Sequence, residues 1–124
     1  MTAHEDTAML VMVEPGTPSS DEVTRWLRER LHGRPDHEVT RVGVVAGELV
    51  DNAWQHSGPP YVLRLTWAPD RDVLVVSVFD HPTTPIGPWR PGAGLALVEV
   101  LSAGWGVETA GNGAVVWAEL RFED

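Results

Sequence analysis

Glu48, Asn52 and His56 recur at intervals of four within the segment Gly47-Glu48-Leu49-Val50-Asp51-Asn52-Ala53-Trp54-Gln55-His56-Ser57, a spacing that aligns them on one side of a helix. On that stripe Glu48 is the carboxylate suited to general-base work. The amide oxygen of Asn52 is a hard ligand that can complete magnesium coordination beside phosphates and water. A carboxylate and a carboxamide one turn apart suit a metal-nucleotide site. The same residues equally suit the solvated side of an ordinary amphipathic helix.

Two further places have a chemistry of their own. Asp80 closes an apolar run and stands before a proline-rich segment; there it can accept a hydrogen bond from an exocyclic amine such as that of adenine, or simply start a turn. Arg90-Pro91-Gly92-Ala93-Gly94 precedes another apolar run. Glycines at such a place let backbone amides and a helix N-terminus approach a phosphate, and Arg90 supplies positive charge. The pattern is neither a Walker loop nor Gly-x-Gly-x-x-Gly. His32 and His37 are separated by Gly33-Arg34-Pro35 with no third ligand nearby, so no histidine is read as a metal ligand. No serine stands in a Gly-x-Ser-x-Gly context. Trp89, alone among the tryptophans in falling in a loop, could pack over a base or a partner.

The elements that must position these residues can be read from periodicity. Ala8 to Val13 is an apolar run of strand length. Ser19 and Glu22 form a capping box for a first helix over about Ser20 to His32. Pro35-Asp36 opens a second helix, in which Val39, Val42, Ala46, Leu49, Val50, Ala53 and Trp54 share one side, and Ser57-Gly58-Pro59-Pro60 ends it. Tyr61 to Trp67 and Val73 to Asp80 alternate as a hairpin. His81 to Pro91 is a loop, with four prolines and one glycine in eleven residues. Gly92-Ala93-Gly94 leads into a short helix from Leu95 to Leu101, and Trp105 to Thr109 and Val115 to Phe122 pair across Ala110-Gly-Asn-Gly113. The order β-α-α-β-β-loop-α-β-β predicts an α+β fold, with a mostly antiparallel or mixed sheet and helices on one face.

Composition narrows the function. The 124 residues are expected to form one domain, 43% hydrophobic and 22% charged. All nine cations are arginine, and the formal net charge of −9 disfavours direct nucleic-acid binding and anionic membranes, while leaving room for a small anion held locally. With no cysteine there is no disulfide, thiol nucleophile or cysteine zinc site. The opening Met1-Thr-Ala-His-Glu-Asp has no basic region and no apolar run approaches a membrane span, so a cytoplasmic protein is expected.

Taken in order, Glu48-Leu-Val-Asp-Asn-Ala53 on a helix, Val78-Phe-Asp80 at a strand end and Arg90-Pro-Gly-Ala-Gly-Leu95 opening a helix resemble the histidine-kinase-like ATPase superfamily (GHKL, Bergerat fold). The resemblance runs from about Ala8 to Phe122 and is greatest to the anti-sigma factor serine/threonine kinase branch and its actinobacterial relatives. It implies a two-layer α/β sandwich and a site for ATP and Mg2+. Glu48 would then activate the attacking hydroxyl, Asn52 would ligate magnesium, Asp80 would read the adenine amine, Gly92 and Gly94 would line the phosphates, and Arg90 would match a lid arginine. It also implies a sigma factor or anti-anti-sigma factor as partner, and pairing of two copies through the first strand or helix. The family's usual Asp-x-Gly-x-Gly is here Asp80-His81-Pro82-Thr83-Thr84, with the next glycine at Gly87. That departure favours an alternative, an inactive interaction module of the same fold that sequesters a sigma factor or another regulator.

Overall fold

The computed structural model describes residues 6–13, 19–68, 73–82, 93–111 and 113–122. Along the chain come β1 (Asp6–Met12), α1 (Ser20–Arg30), α2 (Asp36–His56), β2 (Ser57–Trp67), β3 (Val73–Pro82), α3 (Ala93–Leu101), β4 (Gly104–Ala110) and β5 (Gly113–Arg121). The strands form one sheet in the order β1-β2-β3-β5-β4. Every neighbouring pair is antiparallel, so among the described residues no parallel strand makes the sheet mixed. The helices and the sheet make the expected two-layer α/β sandwich.

Alternation decides which side of each strand the helices cover. Tyr61, Leu63 and Leu65 of β2, Leu74, Val76, Val78 and Asp80 of β3, and Ala114, Val116, Ala118 and Leu120 of β5 are all buried. Their alternates Val62, Val75, Ser77, Phe79, Val115 and Trp117 are only half-buried. On α2 the buried set is Val42, Val45, Ala46, Leu49, Val50 and Ala53, the three-and-four spacing of a helix packed on one side. Val39 and Trp54 border it, half-buried. The Ser19–Glu22 capping box forms as the sequence predicts, each residue's side chain accepting from the other's backbone N–H at 3.3 Å.

The boundaries differ in two places that matter. Ser57-Gly58-Pro59-Pro60, expected as the turn that stops α2, is instead the start of β2, and the chain passes from helix to strand with no intervening loop. A residue that precedes proline is driven to extended backbone, and both Gly58 and Pro59 precede one. Prolines cannot donate to the ladder, and the β2–β3 register is irregular there: Gly58 faces His81 and Val62 faces Phe79, leaving Pro59, Pro60 and Tyr61 opposite Asp80 alone. At the other place His81 and Pro82, expected as loop, extend β3 to pair with Gly58 and Ser57. The terminal position tolerates proline because its missing N–H interrupts no further pairing.

Arg41 on α2 joins three elements. Its Nε donates to the carbonyl of Leu101 at 2.8 Å and its Nη1 to that of Arg121 at 2.8 Å. The guanidinium also lies 5.2 Å from the centre of the Phe122 ring. Leu101 ends α3, where carbonyls lack helical partners, so this contact caps that helix and pins its end beside the last residues of β5.

Gly113, opening β5, is close-packed for a different reason. A Cβ there would sit 2.7 Å from the Asp80 carbonyl oxygen and would strike the Phe79 ring. At Gly43, in the interior of α2, a Cβ would meet nothing within 4 Å. Gly113→Ala should therefore lower the unfolding free energy by about 1–3 kcal/mol. Gly43→Ala should raise it by about 0.5–1 kcal/mol, through helix propensity and a less free unfolded chain. Urea unfolding of the two variants beside the parent checks both signs.

Candidate functional site

The topology gathers separate stretches of sequence at one end of the sandwich. Strand β3 begins opposite Arg121 and reaches Ala114 at Asp80. Helix α2 ends at His56, and the very next residue, Ser57, pairs with Pro82 beyond Asp80. The last turns of α2, bearing Glu48 and Asn52, thus approach the same end as Asp80. Strand β4 begins with Gly104 opposite Glu119, at the far end. Between β3 and β4, α3 returns the chain to that far end, where Arg41 holds its last carbonyl. Its first turn therefore belongs with Asp80. That turn contains Gly94, since the helix begins at Ala93 and not after the glycine. Arg90, Gly92 and Trp89 lie outside the described residues, as does nearly all of the loop expected from His81 to Pro91.

The individual environments are unequal. Glu48 is half-buried at the border of the apolar side of α2. Asn52 is half-buried as well, and its Nδ2 is fully enclosed with no hydrogen-bond acceptor among the described residues. A buried amide donor left unsatisfied costs about 1–3 kcal/mol, which an acceptor-rich ligand would recover. Asp80 is 0% exposed and is the one charged side chain in the buried class among the described residues. A carboxylate rarely occupies such a position unless other groups stabilise its charge.

Tyr61 stands beside it, at the start of the strand that the sequence predicts over Tyr61 to Trp67. It is 1% exposed and projects to the helix-covered side of the sheet, as Asp80 does. Burial first, and then the Asp80 carboxylate, raise its phenol above the ordinary tyrosine value. Spacing alone does not reveal this neighbour, because it depends on the β2–β3 register, in which Val62 pairs with Phe79 and Trp67 with Leu74.

Among the described residues no group of three or more His, Asp or Glu could by itself hold a metal ion. The donor set fits a hard cation that takes most of its ligands from phosphate and water, with Asn52 as a protein contribution. By donor and acceptor chemistry the unsatisfied Asn52 amide suits an acceptor-rich group, and the enclosed carboxylate suits a donor. Two other concavities lie elsewhere, about 430 Å³ at the turn between α1 and α2 beside Arg28 and His32, and about 180 Å³ between those helices over Gly43 and Gly47. Neither includes Glu48, Asn52 or Asp80.

No family model matches this chain and no curated protein matches it. Among solved structures it is similar to that of the RsbU and RsbW domains of Rv1364c from Mycobacterium tuberculosis, with a TM-score of 0.66 and 22% sequence identity over 92% of this chain. The match covers 32% of that chain, so the present sequence spans about a third of its length. The likeness is one of fold, the α/β sandwich that the motif order of the sequence resembles. No described helix is long and apolar enough to cross a membrane.

Tyr61 is the only tyrosine in the chain, so its ionisation can be followed by ultraviolet absorbance without interference from another phenol. A raised folded-state value favours the neutral phenol in the native protein. Its share of stability is complete below the unfolded value of about 10 and is lost as pH rises through the folded value. The expected midpoint lies above 10, and Asp80→Asn should lower it by removing the neighbouring negative charge while leaving burial. A midpoint unmoved by that substitution would show that the two groups do not interact.

Proposed function

We propose that this chain is an ATP-binding regulatory protein of the anti-sigma factor serine/threonine kinase type, which binds Mg·ATP and transfers phosphate to a partner regulator. The observation that carries the reading is the enclosed Asp80 carboxylate at the same end of the sandwich as the buried, unsatisfied amide of Asn52. The fold shared with a structure that includes an RsbW domain supports it.

Each residue then has a distinct task. Asp80 accepts a hydrogen bond from the exocyclic amine of adenine, and its burial makes that contact discriminating, because a base without the amine leaves the charge uncompensated. Asn52 offers its amide oxygen to the cation and its NH2 to phosphate or water. Glu48, one turn earlier, takes the proton from the attacking serine or threonine hydroxyl of the partner. Gly92 and Gly94 admit the phosphates close to the backbone at the start of α3, and Arg90 balances charge on the transferred group. When bound, Mg·ATP supplies the phosphoryl group and part of the charge neutralisation that such transfers need.

Calorimetric titration of the parent with Mg·ATP should give a saturable binding heat, and Asn52→Ala should weaken binding at least about tenfold, one lost charge-assisted contact. Absence of heat in the parent sinks the nucleotide reading. Incubation with labelled ATP and a candidate anti-anti-sigma partner then tests transfer. Label that appears with the parent and disappears with Glu48→Gln supports the kinase. A tight complex without label supports the second reading, an inactive module that sequesters its partner, favoured by His81-Pro82-Thr83-Thr84 where the resembled family has its glycines.

The proposed partners are proteins, a sigma factor or an anti-anti-sigma factor, and a second copy of the chain. Met9 and Val11, 57% and 59% exposed on edge strand β1, support self-association. Light scattering should report a dimer at working concentration, and Met9→Lys with Val11→Lys should shift it to the monomer mass. A parent that scatters as a monomer throughout would remove this part of the proposal.

A further inference from the structure

The described helices cover one side of the five-stranded sheet, and the strand order β1-β2-β3-β5-β4 puts β3 in its middle. Register fixes what the other side presents. One row across it reads Val11, Val62, Phe79 and Val115 on β1, β2, β3 and β5, and the next reads Met9, Arg64, Ser77 and Trp117. Val62, Phe79, Val115 and Trp117 are half-buried with no described helix over them, and Met9 and Val11 are exposed. The Trp117 indole rests over Gly106 of β4, where an added Cβ would come 3.0 Å from the ring, so β4 contributes no side chain at that place. The charged side chains that the described strands direct to this side are Arg64, Glu108, Glu119 and Arg121, two of each sign, on a chain of net charge −9.

We propose that this open side is where two copies of the chain pair, sheet against sheet, about a two-fold axis running along β3. This deepens the self-association in the reading above and rests on it, replacing contact along the edge of β1 with contact over the whole sheet. Such an axis sets β2 of one copy over β5 of the other. In the rows just given Val62 then meets Val115, Phe79 meets its own copy, and the Arg64 guanidinium comes over the Trp117 indole, a cation on an aromatic face. An axis running across the strands through the same row would instead set Arg64 over Arg64. Net charge favours the same side: two copies at −9 repel, and a face with two charges of each sign is where they approach with least repulsion. Its size suffices as well. Five strands about 4.8 Å apart, with seven paired residues at about 3.4 Å each, present about 550 Å² per copy. The pair covers about 1,100 Å², past the roughly 1,000 Å² that a specific interface needs.

Ser77 stands at the centre of the open side, on the middle strand, where no edge-to-edge pairing of copies reaches. Sedimentation of the parent should give the dimer mass. Ser77→Lys, which sets two ammonium groups against each other at the axis, should raise the dissociation constant at least about a hundredfold while circular dichroism shows an unchanged fold. A Ser77→Lys variant that pairs as tightly as the parent overturns the sheet-to-sheet arrangement and leaves self-association through β1 standing. A parent that is a monomer at every concentration overturns self-association and this proposal together, and gives the open side to a different protein. None of these readouts involves a nucleotide, so the nucleotide reading stands or falls apart from them. Should Ser77→Lys fail to fold, the parent itself decides. A dimer mixed from isotope-labelled and unlabelled chains should show nuclear Overhauser contacts between copies that join Val62 to Val115 and the Arg64 side chain to the Trp117 ring. Contacts between copies confined to β1 overturn the proposal.

Discussion

A carboxylate in the core is the constraint around which the rest of this molecule is arranged. Asp80 occupies a position that alternation along β3 gives to Leu74, Val76 and Val78, all wholly buried. An apolar residue there would extend the core at no electrostatic cost. An ionised side chain in such a place is stabilised by groups that supply opposite charge, dipoles or hydrogen bonds. The surroundings are accordingly unlike the rest of the sheet. A double proline distorts the neighbouring strand, a buried tyrosine lies on that strand at the edge of the distortion, and a glycine at the start of β5 makes room for the Asp80 backbone.

Helix α2 connects that end of the molecule to the other. Its apolar side covers β2, β3 and β5 through Val42, Val45, Ala46, Leu49, Val50 and Ala53, and α1 and α3 flank it. At its beginning Arg34 pairs with Glu38 at 2.8 Å and lies 5.0 Å from the centre of the Trp67 ring. Arg41, about two turns further, secures the ends of α3 and β5. Two of the nine arginines are therefore used as fixed contacts across elements. This suits guanidinium, whose planar fork can donate to two carbonyls while its face rests on an aromatic ring. With the far ends secured in this way, Glu48 and Asn52 approach the Asp80 end on a helix held along its length.

What the sequence by itself determined is the set of elements, their order and which side of each is buried, because periods of 3.6 and 2 and a capping box are local properties of consecutive residues. The helices and strands, the hairpins and the apolar side of α2 were all legible in that way, as was the spacing that puts Glu48 and Asn52 on one stripe. The motif order also pointed to this fold. Only the tertiary structure decided that the sheet is antiparallel throughout and that Ser57 to Pro60 is strand and not turn. It alone decided that Asp80 is enclosed, that Tyr61 stands beside it and that Arg41 binds the carbonyls of residues sixty and eighty positions away. These outcomes depend on strand register and on contacts between remote segments. A string of residues specifies them only through the packing of the whole chain, where the positions opposite one another on adjacent strands carry no mark of their pairing.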